Sequence, residues 1–322
     1  MKTFRFLIVS GLLFATAAAH AADPAVFAPG IISGPANEAS PVFTPDGKTV
    51  YFTRSNSSDN VILMSQRQGE NWSAPQIAPF SGQWRDLEAA MAPDGSYLIF
   101  ASSRPVPDTG KQPDGFWGGT VHVGRGGNLW RVDKTPTGWS EPKHLSAVVN
   151  RNGSTFGPSV TADGDLYFTD VYGDSKRAHL FYAAYRDGSY QAPQPMPFTD
   201  DRWSDVDETV SADGSFMVFS STRPPTPPQQ MDLFIVFRKN GKWGEPLHLP
   251  DAINRLGGII EARLGPDGHS LYFTSAYEAP VSYPKDAASA AASLRGMAWN
   301  DGNYNIWVAD ISELLKSGES VQ

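Results

Sequence analysis

The 322-residue chain has no cysteine, which excludes disulfides, thiol nucleophiles and cysteine-ligated zinc. Histidine is scarce too: there are six, and no two have metal-site spacing. No Gly-x-Ser-x-Gly elbow or phosphate loop occurs. The glycine runs Gly118-Gly119 and Gly124-Arg125-Gly126-Gly127 lack a strand-to-helix context and read as loop hinges. After the first 21 residues no apolar run approaches the length of a membrane span. Positive charge is also in deficit, with 26 Lys and Arg against 34 Asp and Glu and a formal charge of −8. That balance argues against nucleic acid and anionic lipid as partners.

The one long apolar stretch opens the chain. Lys2 and Arg5 precede Phe6 to Ala18, and Ala19-His20-Ala21 has the small-residue form of a cleavage site. Residues 1–21 are expected to be a removed secretory signal, and no cysteine follows it as a lipid attachment point. The expected mature protein, residues 22–322, is one periplasmic or secreted domain, monomeric and without membrane insertion.

What fills that domain is a repeat. Five turns, Pro45-Asp46-Gly47, Pro93-Asp94-Gly95, Ala162-Asp163-Gly164, Ala212-Asp213-Gly214 and Pro266-Asp267-Gly268, each precede a short apolar strand such as Leu98-Ile99-Phe100 or Leu271-Tyr272-Phe273. Proline presets φ at the first central position and glycine tolerates the left-handed conformation that closes a hairpin. A third strand follows with an apolar pair, for example Leu129-Trp130. Then comes an aromatic-x-x-Pro segment, for example Trp139 to Pro142, where proline suits an outer edge. Trp72, Trp139 and Trp243 recur at this outer position and are expected to pack between units. The turn aspartates follow one another at 48, 69, 50 and 54 residues. A period near fifty with four strands per unit implies propeller blades. The long interval holds an insertion near Pro105–Gly126. The fifth unit stops after its third strand, and Val26 to Ile31 resembles Trp72 to Ile77. The fold expected is all-β: a five-bladed propeller of four-stranded antiparallel blades, closed by the N-terminal strand. The C-terminal segment Ile311–Lys316 is expected to be a frayed helical turn.

The repeat x-PDG-x-x-LYF-x-S-x-R, followed by Leu-Trp and Gly-x-Trp-x-x-Pro, resembles the TolB-like, WD40-like β-propeller repeats of bacteria over nearly the whole mature chain. The resemblance implies the fold and an exported protein. It does not choose between binding and catalysis, because propellers host both. Unlike TolB, the chain is expected to lack room for a separate α/β domain before the first blade.

Long connections between second and third strands, Pro105–Gly126, Pro224–Gln230 and Ala276–Asn303, should gather on one face. Two loops entering inner strands there share Trp-x-Asp-x-acid: Trp84 with Asp86 and Glu88, and Trp203 with Asp205, Asp207 and the adjoining Glu208. Glu38 and Glu261 occupy nearby positions in blades one and five, whereas blade three has Thr155 and Gly157. These carboxylates should converge on the channel mouth. Arg54, Arg104 and Arg223 end second strands on the same face and are candidates to pair with them structurally. Phe116, Trp117, Trp299, Tyr277 and Tyr283 add aromatic contact surface.

The main expectation is a non-enzymatic module that recognises an envelope protein, peptide or glycan at an acidic, aromatic-edged mouth, without a cofactor. The alternative is a polysaccharide-active enzyme using paired acids from Asp86, Glu88, Asp205 and Asp207. A carboxylate ring could also take Ca²⁺ through oxygen ligands, although no Asp-x-Asp-x-Asp-Gly loop is present. His144 and His248 match in outer strands and read as scaffold, and His122 lies alone in the long insertion.

Overall fold

A computed structural model describes residues 23–171, 176–278, 280–297, 299 and 302–320. The expected signal, residues 1–21, lies outside them. Five antiparallel sheets form a propeller. The inner strands are Asn37–Phe43, Asp86–Met91, Thr155–Val160, Asp205–Val210 and Ile260–Leu264. Each packs on the next, and the fifth packs on the first, so the ring is closed.

The Asp-Gly turns form as the sequence implies. Gly47, Gly95, Gly164, Gly214 and Gly268 have φ between 65° and 86°. The N–H of each bonds the carbonyl three residues back at 2.8–3.0 Å. In the second strands, adjacent apolar residues face opposite sides of the sheet. Tyr51 enters the cluster shared with blade two, while Phe52 enters the cluster shared with blade five. Five such clusters, one at each blade interface, make up the core. Both faces of these strands are therefore buried, which explains runs without polar alternation.

The outer strands are broken at their prolines. Pro75, Pro142, Pro193 and Pro246 each separate two short paired fragments, such as Asn71–Trp72 and Gln76–Ile77. The outer-strand tryptophans lie between blades: Trp139 Nε1 donates to Tyr51 Oη at 3.0 Å, and Trp243 meets Tyr167 edge-on.

The ring closes at the N-terminus. Ala25–Val26 pairs antiparallel with Asn305–Asp310 and completes the fifth blade. Phe27 then sets its ring 5.1–5.8 Å from Phe43, Trp72 and Tyr272, which belong to both sides of the seam. The C-terminal segment is more ordered than expected. It forms a helix, Ser312–Ser320, with Ile311, Leu314 and Leu315 packed into the cluster between blades four and five. Asp310 Oδ1 accepts the Ser312 N–H at 2.7 Å and starts it.

Phe27→Ala should open this seam. The expected loss is about 2–4 kcal/mol, below the top of the range for a large aromatic because the ring is half-buried. Urea unfolding checks it, and a loss under about 1 kcal/mol would show that strand pairing alone closes the ring.

Candidate functional site

Every inner strand bends at one bulge. The register slips between Ala39 and Val42, Leu87 and Ala90, Phe156 and Ser159, Val206 and Thr209, and Ile260 and Arg263. The first bulge residue has positive φ in all five blades: Ser40 48°, Glu88 54°, Gly157 56°, Asp207 57° and Glu261 58°. Four of these are not glycine, so strain is held at one layer of the ring.

The bulges sort the predicted acids into two layers. Glu38, Asp86 and Asp205 stand two residues before the bulge and are fully buried. Each meets the arginine that ends its own second strand. Arg54 Nε lies 2.8 Å from Glu38, and Arg223 Nη2 lies 2.7 Å from Asp205. Arg104 bonds Asp86 in the same way. Ser102 and Ser221 add hydroxyl donors at 2.7 and 2.6 Å. Burial raises the Asp86 carboxyl, and the Arg104 charge opposes it. Blade three reaches an equivalent pair from other positions, with Arg151 Nη2 2.9 Å from Asp170. These acids are clasps, and the catalytic alternative loses Asp86 and Asp205.

The second layer is different. Glu88, Asp207 and Glu261 are bulge residues, and no arginine or lysine pairs with them among the described residues. Their contacts follow from the ring. At two bulges the N–H donates to a threonine of the preceding blade, Glu88 N to Thr53 Oγ1 and Asp207 N to Thr169 Oγ1, both 3.0 Å, whereas the equivalent Thr274 Oγ1 of blade five is buried without a partner. Blade two has Ala101 there, so Gly157 N donates instead to Glu88 Oε2 at 2.6 Å. Glu261 Oε2 accepts from Ser40 Oγ at 2.7 Å. A side chain on Gly157 would begin 3.5 Å from Asp207 Oδ1. Glu88 and Asp207 therefore both approach Gly157, the one bulge position without a side chain.

Their protonation differs in direction and cause. Burial pushes Glu88 well above the usual carboxyl range, and the charges of Asp207 and Glu261 push it further. Burial also raises Asp207, but the Arg263 charge and the Glu261 N–H pull it back. Glu261 is raised to about 7 by burial and by Asp207. Arg263 occupies a position held by Val42, Ala90, Ser159 and Thr209 in the other blades. It is 3% exposed, and its Nη1 donates to the Ala262 carbonyl. Glu208, the second bulge residue of blade four, is buried against Thr169 and raised to about 8 by burial.

Glu88 and Asp207 open into a cavity of about 280 Å³ on the elaborated face. Its walls include Phe116, Trp117 and Phe156, with Arg85 and Arg125 at its edge. The long insertion supplies the first two. Gly115–Trp117 pairs with Thr120–His122 as a hairpin, and Trp117 stacks on His122 with centroids 3.9 Å apart. The insertion is fastened rather than hinged at its return. Gly124 N bonds Asp114 at 2.7 Å, and a Cβ on Gly126 or Gly127 would clash with Gly153 or Phe156.

Other predicted residues fall elsewhere. Trp84, Trp203 and Trp299 do not line this cavity, Tyr277 packs edge-on against Trp307, and Tyr283 is exposed. His144 and His248 bond Asn150 and Asn254 within their own blades, as scaffold. Among the described residues no three His, Asp or Glu side chains converge at metal-binding distance. Of the acids expected to converge, Glu88, Asp207 and Glu261 do so, whereas Glu38, Asp86 and Asp205 are each paired with an arginine. Sequence reasoning missed the bulge layer, Arg263, Arg85 and Arg125. The one available signal was the second acid of Trp-x-Asp-x-acid.

Arg104→Met should strand Asp86 as a buried charge and cost about 3–5 kcal/mol. Glu88→Gln keeps an acceptor for Gly157 and should cost less than about 1 kcal/mol; equal losses in chemical denaturation would erase the distinction between the layers. A second outcome concerns pH. Raised carboxyls hold protons in the folded chain that the unfolded chain releases above its ordinary pKa. Their stabilisation is complete at low pH and is lost as pH rises toward 7 for Glu261 and 8 for Glu208. Glu208→Gln should therefore gain on the wild type between pH 5 and 8, by about 1.4 kcal/mol per pH unit crossed. Parallel Tm profiles would contradict this.

No protein-family model and no curated protein matches the chain. Solved structures do share its architecture. A thermostable family-43 glycoside hydrolase matches at 10% identity and TM-score 0.51, over 77% of this chain and 86% of the enzyme. A TolB described as putative, from Agrobacterium tumefaciens, matches at 16% identity and TM-score 0.48, over 78% and 74%. TolB from Acinetobacter baumannii matches at 14% identity and TM-score 0.46, over 85% of this chain and 55% of that protein. At such identities the likeness is one of fold.

Proposed function

We propose that the chain is an exported glycan-active protein that hydrolyses a glycosidic bond at the cavity where Glu88 and Asp207 meet. The observation carrying this reading is a pair of carboxyls on one cavity, neither in a salt bridge among the described residues: burial raises both, the charges of Asp207 and Glu261 raise Glu88 further, and Arg263 and a backbone N–H pull Asp207 back. Glycoside hydrolysis needs one carboxyl that keeps its proton and one that has lost it. Glu88, with two acid neighbours, is the proton donor to the departing sugar oxygen. Asp207, eased toward its ionised form by Arg263 and a backbone N–H, is the base for water or the nucleophile. Glu261, once ionised, adds to the negative field that raises Glu88. Trp117 and Phe116 offer the apolar faces on which sugar rings stack. The family-43 glycoside hydrolase of similar fold is compatible with this reading and adds only that the architecture hosts such chemistry elsewhere.

Recognition of an envelope protein or peptide without chemistry is the second reading. The apolar hairpin favours it, since Trp117, Val121 and Val123 are 38%, 58% and 79% exposed. The readings separate in one assay. Purified protein incubated with a panel of polysaccharides should release reducing ends, with a bell-shaped pH profile. Glu88→Gln and Asp207→Asn should each lower the rate at least about a hundredfold, while Asp86 variants are judged only on stability. Glycan binding with no turnover in the wild type would replace hydrolysis with recognition.

A further inference from the structure

We infer that the ligand of this cavity is an acidic glycan whose uronate carboxylate is held between Arg85 and Arg125; the inference rests on the glycan reading above and names its substrate class. Both arginines line the cavity with Glu88, Asp207 and Trp117. Neither has a carboxylate within salt-bridge distance among the described residues. That sets them apart from Arg54, Arg104, Arg151 and Arg223, each of which clasps an acid. Arg67, Arg238 and Arg263 also form no salt bridge among the described residues, so what distinguishes Arg85 and Arg125 is that both line the cavity that holds Glu88 and Asp207.

Their geometry is costly without a ligand. Arg85 Nη1 donates to the Arg125 carbonyl at 3.3 Å and Nη2 to Asn60 Oδ1 at 3.4 Å, both long. Its Nε is buried with no partner. Burial and the Arg125 charge pull the Arg85 guanidinium below its ordinary pKa, and the Asp59 charge opposes them. Arg125 is anchored through Ser57, and the packed Gly126-Gly127 return leaves it little freedom to move away. A planar carboxylate placed between them would relieve the repulsion and supply acceptors that the protein does not. The cavity's own acids do not forbid this. Glu88 is pushed toward its protonated form, which leaves Asp207 as the cavity acid nearer its ionised form, and Asp59 supplies a further negative charge near Arg85.

The test is binding, so that it does not depend on turnover. Titration calorimetry and tryptophan fluorescence would compare galacturonate, glucuronate and mannuronate trisaccharides with the neutral galactose, glucose and mannose trisaccharides. The wild type and Glu88→Gln should each bind one uronate at least about tenfold more tightly than its neutral counterpart, with the preference shrinking in high salt. Arg85→Gln and Arg125→Gln should each remove most of that preference while neutral-sugar binding holds, and Arg85→Lys should restore part of it. Circular dichroism confirms folding, and Arg125→Gln, at an exposed position, keeps the test valid if Arg85→Gln unfolds. Equal binding of acidic and neutral sugars, or an unchanged preference in both glutamine variants, overturns the inference even if neutral glycans are hydrolysed. Uronate binding without hydrolysis upholds the inference and removes the hydrolytic reading. Preference for a sulfated neutral sugar over every uronate overturns the carboxylate assignment. No binding by any of the sugars overturns the inference and the glycan reading together.

Discussion

Five inner strands meeting around one axis have to bend where they meet, and the bulge is how each of them does so. A bulge exposes an N–H that the sheet no longer uses, and a buried N–H without a partner is costly. At three of the five bulges the neighbouring blade answers this demand. Thr53 and Thr169 serve Glu88 and Asp207, and the Glu88 carboxylate serves Gly157. Blade-to-blade packing, channel polarity and carboxyl placement are consequences of that one constraint. It also explains why acids tolerate positive φ here: short or flexible polar residues accept the left-handed region better than branched ones.

The same geometry divides chemically identical side chains by function. Two residues along a bulged strand separate Asp86 from Glu88 and Asp205 from Asp207. The first of each pair points to its own second strand and finds an arginine, a serine and complete burial. The second points to the axis, where the nearest charges are other acids and Arg263. A buried ion pair is weak support for stability in itself, yet removing one partner is severe. The clasps are therefore intolerant of substitution, whereas the axial acids have no arginine or lysine partner among the described residues to lose.

The blades were legible because their signals are local. Asp-Gly turns, double-faced apolar strands such as Leu271-Tyr272-Phe273 and the proline of the outer segment each depend on a few neighbouring residues, and the repeat multiplies them. Closure by Val26 and Phe27 was also readable, since one unit lacked an outer strand and the N-terminus resembled one. The site was only half legible. Trp-x-Asp-x-acid marked both layers without distinguishing them, because a one-residue bulge changes which face a side chain takes and leaves no compositional trace. Glu38 and Glu261 looked alike from sequence, yet the first aligns with the clasps and the second with the axis. Arg85 and Arg125 were invisible because their importance lies in what they lack, a carboxylate partner, and only three-dimensional placement shows that. The C-terminal helix was underestimated for a similar reason: Leu314 and Leu315 are too few to specify a helix alone, but the interface between blades four and five accepts them.

Blade three is where the structural and chemical accounts of the axial acids can be weighed. Were these carboxylates present only to satisfy bulge N–H groups, a threonine at position 101 would serve Gly157 as Thr53 serves Glu88, and no acid would be required. Instead blade two has Ala101, blade three has a glycine, and Glu88 reaches across the gap while the insertion brings Trp117 above it. Three departures from the repeat coincide at one point of the ring: the missing hydroxyl, the missing side chain and the added hairpin. Together they make a cavity beside two carboxyls, and each lowers local regularity that the other blades maintain. Stability alone gives no reason for the three to fall together, since a hydroxyl and a filled channel would pack better. A site that must admit a ligand between Glu88 and Asp207 requires all of them.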